Sequence, residues 1–307
     1  MNIIEPAMGK KSGYCMRLAN GQGWQITATE EVGSWVEKLT RIMELKECDS
    51  DGYPKLVFVH NENVEERNRE PVCYLHPRIK DGLPTNGWQP QDFVWLQIWT
   101  HPEIRDVICE MKPQGEKEED ILAMRMALQP IYQRIQDSGG LPLHAALLEW
   151  NGFGILLAAS GSIGKSTCCR RLRGPWRALC DDEALVVRDN KEGYLVHPFP
   201  TWSDYYLNRS EQTWNIQRSL PLSAIFLLEQ AEADEVVPIG QGQAAALVYV
   251  SATQVCARNW MTISHEQLTI ARKRLFENVC DLAKEIPAYK LKVSLEGDFW
   301  GEMEKVL

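Results

Sequence analysis

The segment from Gly152 to Thr167, GFGILLAASGSIGKST, constrains this chain more than any other. Its apolar run, Ile155 to Ala159, has the length and composition of a buried parallel strand. Gly161 and Gly164 follow, and glycines allow the backbone N–H groups of a tight turn to converge on an anion. We therefore predict a strand, a phosphate-binding loop and a helix, in that order.

The loop residues also indicate how a nucleotide would be held. Lys165 supplies a mobile positive charge for the outer phosphates, and the Ser166 hydroxyl is a typical ligand of Mg²⁺. The helix that begins near Thr167 would point its positive end at the same phosphates. The strict loop pattern has Gly where this chain has Ala159, and a plain Gly/Ser-rich turn is the alternative. The predicted nucleotide-binding residues are Gly161, Ser162, Ile163, Gly164, Lys165, Ser166 and Thr167.

An acidic pair, Asp181 and Asp182, lies downstream between the apolar segments 176–180 and 184–187, which we predict to be strands. Two adjacent carboxylates are costly to bury unless a cation or a proton separates them. Mg²⁺ bound to nucleotide phosphates is such a cation. The other carboxylate would then orient or deprotonate an attacking hydroxyl. A polar hairpin turn is the alternative.

A histidine, His144, lies upstream at the start of an apolar segment that ends at Trp150. We predict that this segment is a strand and pairs with Ile155 to Ala159 through the tight turn Asn151-Gly152. A lone histidine at a strand start is more often structural than catalytic, so the residue by itself leaves both roles open.

In this order, the histidine, the hairpin, the phosphate loop and the Asp-Asp pair resemble the catalytic core of the HPr kinase/phosphorylase family. The specific resemblance spans about residues 118 to 205. It is closest to HPr kinase-like proteins encoded beside peptide-modification genes, the SynChlorMet cassette proteins called ScmC. These share the wording PLHAAL, SG-x-IGKST and DDEALV, which this chain carries between Pro142 and Val186.

The resemblance implies a kinase that uses ATP or another nucleoside triphosphate, with Mg²⁺. It would transfer the γ-phosphoryl group to a Ser or Thr hydroxyl on a peptide or small protein. Catalytic roles would fall on Asp181, His144 and Lys165, and a metal site on Ser166 and Asp182. Two alternatives remain open. One is a scaffold that binds a nucleotide or a phosphopeptide without chemistry, and the other is a small-molecule kinase.

Charge and composition limit the partners. The net charge of −9 argues against nucleic acid and against an acidic membrane surface. The chain has no run of about twenty apolar residues, and its N-terminus lacks a basic segment followed by an apolar one, so we predict a cytoplasmic protein. The nine scattered cysteines lack Cys-x-x-Cys spacing, which indicates free thiols. The resemblance is compatible with a homo-oligomer.

The predicted fold class is α/β, with an α+β N-terminal part. Residues 1–117 would form a smaller N-terminal domain that could recognise a peptide or partner. Residues 118–307 would form an HPr kinase-like P-loop domain, with a central mixed or parallel sheet flanked by helices. We place the boundary in the polar segment 112–119, which contains Pro and Gly. A single helix is predicted to follow, from Glu119 to Asp137.

Overall fold

The computed structural model describes residues 13–49, 52–60, 82–112, 117–159, 163–206 and 211–307. Over these residues the protein is a mixed α/β structure with two sheets, each of which combines parallel and antiparallel strands. The α/β class is thereby confirmed. The predicted loop residues Gly161 and Ser162 lie outside the described residues.

The first sheet has seven strands in the order β3-β1-β2-β4-β7-β6-β5. These strands are β1 (Gly13–Arg17), β2 (Gly23–Ala28), β3 (Lys46–Cys48), β4 (Lys55–His60), β5 (Gln89–Asp92), β6 (Leu96–Thr100) and β7 (Val107–Met111). Strand β4 lies parallel to both of its neighbours, and the outer pairs are antiparallel. Helix α1 (Gly33–Ile42) packs against this sheet and buries Val36, Leu39 and Ile42, which lie on one helical face.

A disulfide bond joins Cys15 on β1 to Cys48 on β3, with a Cα–Cα distance of 5.8 Å. The prediction that the cysteines are free thiols is therefore wrong for this pair. Sequence spacing did not reveal the bond because the two residues are 33 positions apart and meet only through the pairing of β1 with β3. The other cysteines described are free: Cys109, Cys168, Cys169, Cys180, Cys256 and Cys280.

The second sheet has nine strands and is organised around β14. Its strands are β8 (Leu141–Leu143), β9 (Ala145–Trp150), β10 (Phe153–Ala158), β11 (Arg177–Cys180), β12 (Ala184–Asp189), β13 (Gly193–Pro198), β14 (Leu220–Gln230), β15 (Glu235–Pro238) and β16 (Ala288–Val293). The first residues of β14 pair with β13, whereas its later residues lie parallel to β10 and β16. The prediction of a parallel strand before the predicted phosphate loop is thus confirmed by the β10–β14 pairing.

Seven further α-helices occur in the described part of the chain. They are α2 (Lys117–Met126), α3 (Gln129–Asp137), α4 (Lys165–Arg171), α5 (Trp202–Tyr206), α6 (Gln241–Trp260), α7 (His265–Glu285) and α8 (Phe299–Glu304). Among the described residues, we find no helix with the length and apolar character needed to cross a bilayer.

The predicted single helix from Glu119 to Asp137 is wrong, because two helices, α2 and α3, occupy that region. Pro130 lies at the start of α3. A proline has no N–H to donate inside a helix but is favoured in the first turn, where that N–H has no partner. Apolar spacing continues across the break, which is why the pattern alone indicated one helix.

The two sheets share a continuous hydrophobic core, which includes Ile26 and Leu56 from the first and Leu147 from the second. Backbone contacts also join them, since the N–H of Trp214 donates to the C=O of Ile42 at 2.8 Å. The predicted boundary near residue 117 falls at the start of α2, whose first residue is Lys117. Its assignment as a domain boundary remains a prediction.

Candidate functional site

The candidate site lies where the chain twice crosses between two parts of the second sheet. His144 is the single residue between β8, which pairs with β12, and β9, which pairs with β10 and β11. The segment Asp181–Glu183 makes the reverse crossing, from β11 to β12. Leu143 is paired with Ala184, so the sheet register places the two crossings side by side. Because β11 and β12 pair with other strands, a simple hairpin turn at the acidic pair is the wrong interpretation.

The hairpin of β9 and β10 places the end of β10, which precedes the predicted phosphate loop, beside these crossings. The turn residues Asn151 and Gly152 have φ of 50° and 83°, as a two-residue hairpin turn with positive φ at both positions requires. The predicted hairpin is therefore confirmed. Ala145, which follows His144, is paired with Ala158, the last residue of β10. The end of β10 consequently lies next to the histidine.

A chain of polar contacts links three of the predicted residues. The Nζ atom of Lys165 lies 2.8 Å from Nε2 of His144. The other ring nitrogen, Nδ1, lies 3.1 Å from Oδ1 of Asp182. An ammonium group can only donate, so Nε2 must accept from Lys165, and the Nδ1–H then donates to the carboxylate. This arrangement requires a neutral imidazole in its Nδ1–H form.

Burial and nearby charges shift the pKa values of Lys165 and Asp182. Burial lowers the pKa of the Lys165 ammonium, and the negative charges of Asp182 and Asp181 oppose that shift only in part. Burial alone would raise the pKa of Asp182, but the hydrogen bond from His144 and the charge of Arg125 outweigh it and hold the pKa below its usual value. Asp182 is therefore ionised at neutral pH, as a metal ligand or a phosphate-positioning group must be.

Asp181 is held separately, by Thr201. The Thr201 hydroxyl donates to Oδ1 of Asp181 at 2.7 Å, and the threonine is only 2 % exposed. Thr201 lies between β13 and α5, and sequence reasoning did not assign it a role. Because its partner is fixed in the fold, the Asp181 carboxylate has a defined direction. One carboxylate of the pair is thus bonded to the histidine and the other to a buried hydroxyl.

The third acidic residue, Glu183, anchors the segment to the helices. It is 2 % exposed and accepts hydrogen bonds from the Arg125 guanidinium on α2 and, at 2.7 Å, from the Tyr132 hydroxyl on α3. Burial alone would lower the pKa of Arg125, but the charges of Glu183 and Asp182 outweigh it and raise that pKa. Sequence patterns did not indicate this pairing, because Arg125 and Glu183 lie 58 positions apart and meet only through tertiary packing.

The remaining predicted residues surround the start of α4. Gly164 has φ of 110°, a conformation that residues with a side chain rarely adopt, so glycine is required there. Lys165 is the first residue of α4, and Ser166 and Thr167 follow in the same turn. The helix begins two residues earlier than the sequence indicated. Ile163 precedes the glycine, and its C=O accepts from the Gln230 amide at 3.4 Å.

The predicted metal ligands have the chemistry that Mg²⁺ prefers, since the Ser166 hydroxyl and the Asp182 carboxylate are both oxygen donors. Over the residues that the structure describes, no group of three or more His, Cys, Asp or Glu side chains gathers as a metal site. Mg²⁺ usually completes its shell with water and substrate phosphates. The two residues therefore have the donor chemistry of Mg²⁺ ligands, and the metal site itself remains a prediction.

The family described as SynChlorMet cassette protein ScmC matches residues 107–307. This chain belongs to the ScmC family. The predicted closeness to ScmC proteins is thus confirmed, and the match contains the whole candidate site as well as β7 of the first sheet. No curated protein matches the chain. The description of the ScmC family names a gene cassette and no reaction.

Proposed function

We propose that this protein is a kinase that transfers the γ-phosphoryl group of ATP, or of another nucleoside triphosphate, to a Ser or Thr hydroxyl. The observation that carries the proposal is the contact chain from Lys165 through His144 to Asp182, with Asp181 beside it. This set lies at the end of the strand that enters the predicted phosphate loop. The proposal includes an HPr kinase-like P-loop fold for residues 118–307.

Each residue in the set would have one task. Lys165 would stabilise negative charge on the transferred group, and His144 would hold both Lys165 and Asp182 in place. Asp181, oriented by Thr201, would accept the proton of the acceptor hydroxyl while the new O–P bond forms and the bond to the nucleoside diphosphate breaks. A bound Mg²⁺, held by Ser166 and Asp182, would neutralise phosphate charge. Such positioned charges are each worth about 3 kcal/mol of barrier.

The acceptor class rests on the resemblance to HPr kinase-like proteins encoded beside peptide-modification genes. We propose a peptide or small protein as the acceptor, with the N-terminal part of the chain as its recognition unit. A cytoplasmic location, where ATP is abundant, and a homo-oligomeric assembly belong to the same proposal. Nucleic acid and membrane are not proposed as partners, since the net charge of −9 disfavours both anionic surfaces.

Titration of Mg²⁺-ATP into the protein by calorimetry tests the binding half of the proposal. Lys165→Met removes the charge but keeps the apolar stem, and Lys273→Met is the matched control because that lysine is 77 % exposed on α7. We expect saturable binding in the wild type and in Lys273→Met, and its loss in Lys165→Met. Absence of binding in the wild type would overturn the proposal.

Transfer is tested with radiolabelled ATP and a library of Ser- and Thr-containing peptides, alongside a set of small hydroxylated metabolites. Label on peptides supports the proposed kinase, and label on metabolites alone would move the acceptor to the small-molecule class. Saturable ATP binding with no transfer to either set would favour the nucleotide-binding scaffold.

A further inference from the structure

A cavity of about 220 Å³ lies beside the candidate site, between α6 and the second sheet. Its sheet side is formed by the carboxyl-terminal parts of β10 and β14, including Ala158 and Leu227, with Lys290 of β16. Strand order places β11, the strand that precedes the acidic pair, on the β9 side of β10, whereas the cavity lies on the β14–β16 side. In open α/β sheets, ligands bind at the carboxyl ends of parallel strands.

The cavity shares a wall with the candidate site. Ser251 of α6 lines the cavity, and its hydroxyl donates to the C=O of His144 at 3.1 Å. The N–H of His144 in turn donates to the C=O of Ser251 at 3.3 Å. Ala159, another lining residue, is the last described residue before the predicted phosphate loop. The cavity therefore lies at the end of β10, the strand that leads into the predicted phosphate loop.

The walls of the cavity combine apolar surface with a few polar groups. Leu227 is buried, whereas Leu247 and Val250 on α6 are 38 % and 48 % exposed, which is high for apolar side chains. Glu229 and Gln243 add a carboxylate and an amide to the lining. Pockets for small molecules typically have this composition, in which apolar walls hold a ring and a few polar groups fix its orientation.

The size of the cavity limits what it can hold. Its volume of about 220 Å³ lies below the range of roughly 300–1,000 Å³ in which whole drug-sized ligands bind. One planar ring system fits such a space, and a sugar with three phosphates does not fit beside it. Oε2 of Glu229 is paired with Lys290 at 2.8 Å, and the carboxylate can accept a hydrogen bond from the exocyclic amino group of a base.

We infer that this cavity binds the purine base of the nucleoside triphosphate whose phosphates Lys165 contacts. The inference rests on the proposed function and adds the position and chemistry of base recognition. The base packs between Leu227 and the α6 side chains Leu247 and Val250, with its amino edge toward Glu229. The acceptor hydroxyl then approaches from the opposite side of β10, where Asp181 lies.

The test compares Mg²⁺-ATP with Mg²⁺-tripolyphosphate, which has the phosphates and no base, by calorimetry. Leu247→Trp fills the cavity from a partly exposed helical position, and Val250→Trp does the same from the next turn of α6. Ile270→Trp is the matched control, because Ile270 is 52 % exposed on α7 and does not line the cavity. We expect wild-type protein to bind ATP roughly tenfold or more tightly than tripolyphosphate.

Both cavity variants should weaken ATP binding about tenfold and leave tripolyphosphate binding unchanged, and Ile270→Trp should change neither. If the wild type binds ATP and both cavity variants bind it equally well, the cavity is not the base site, while the proposed function stands. Equal weakening of both ligands would also overturn the inference. If the wild type binds neither ligand, the proposed function and the inference both fail.

Discussion

His144 accepts a hydrogen bond from the Lys165 ammonium, with Nε2 and Nζ 2.8 Å apart. The two residues come from different elements, because His144 lies between β8 and β9 and Lys165 begins α4. Lys165 is only 7 % exposed, so few other partners can reach its charge. The histidine therefore fixes the direction of the lysine before any nucleotide binds. A protonated imidazole would lose this contact, since its nitrogens can only donate.

His144→Ala should lower kcat by about 10- to 100-fold, because Lys165 and Asp182 both lose the group that positions them. The KM for ATP should change much less, since the charge of Lys165 remains. His144→Gln offers an amide oxygen to Lys165 and should recover part of the loss. Steady-state kinetics on both variants decide the point. A kcat for His144→Ala equal to that of the wild type would remove the histidine from the mechanism.

Asp181→Asn should reduce turnover by about 10²- to 10⁴-fold, the range expected for loss of a general base. Affinity for Mg²⁺-ATP should be unchanged, because the lysine and Asp182 remain in place. Single-turnover phosphoryl transfer and calorimetry measure the two quantities separately. Thr201→Val removes only the hydroxyl that orients Asp181 and should cost about tenfold, as loss of one hydrogen bond does. Full turnover in Asp181→Asn would show that the assigned base is wrong.

Arg125→Met should lower the free energy of unfolding by about 3–5 kcal/mol, because it leaves the Glu183 carboxylate buried without its cation. The double variant Arg125→Met/Glu183→Leu should recover part of that loss, since the buried charge is also removed. Urea denaturation measures both. Lys273→Met breaks the exposed pair with Glu277 and should cost less than about 1 kcal/mol. An equally small effect of Arg125→Met would mean that Glu183 is not held by this charge.

His197 should make stability depend on pH. It is fully buried, its Nδ1 lies 2.8 Å from the Ile216 carbonyl oxygen, and its Nε2 accepts from the Ala19 N–H at 3.2 Å. Burial lowers the pKa of His197 to about 4. The unfolded value is about 6.5, so at neutral pH the ring is neutral in both states and carries no penalty. As the pH falls from about 6.5 to 4, only the unfolded chain takes up the proton, and stability is lost.

The full loss is about 3 kcal/mol, reached once the pH passes below the folded pKa. Thermal melts between pH 7.5 and pH 4 measure it. His197→Asn cannot titrate and should start less stable but lose less between these pH values. If the slope is the same in His197→Asn and the wild type, other groups account for the acid sensitivity.

The disulfide between Cys15 and Cys48 closes a loop with a sequence separation of 33 residues. A loop of this length predicts about 3–4 kcal/mol of stabilisation, through the entropy of the unfolded chain. Reductant should therefore lower the melting temperature of the wild type and leave Cys48→Ser unchanged. Alkylation of the unfolded, unreduced protein should label two fewer cysteines than alkylation of the reduced protein. Equal labelling would show that the bond does not form in solution.

The local parts of the site could be predicted from sequence. Gly161, Gly164 and Lys165 stand close together in the chain, and the apolar run before them indicates a strand. Both signals lie within one short segment of the sequence. The Asn151-Gly152 turn was predictable for the same reason, since few residues tolerate positive φ. The family match from 107 to 307 includes these motifs and does not test their role.

Contacts between distant segments could not be predicted in this way. Thr201, Arg125 and Tyr132 carry no local signal for a role at the acidic segment, and each reaches it only through the packing of β13, α2 and α3. The disulfide is of the same kind, because only the pairing of β1 with β3 brings its cysteines together. The break between α2 and α3 had a local signal in Pro130, which the apolar spacing alone did not show.

The sequence by itself determined the local elements and their order along the chain, because strand, turn and loop preferences depend on neighbours a few positions away. Tertiary structure decided which of them meet. His144 lies next to Asp182 because β8 pairs with β12 in one register, and a shift of one residue would turn these side chains to the other face. That register is selected by burial of apolar side chains over the whole second sheet, a property that no short segment contains.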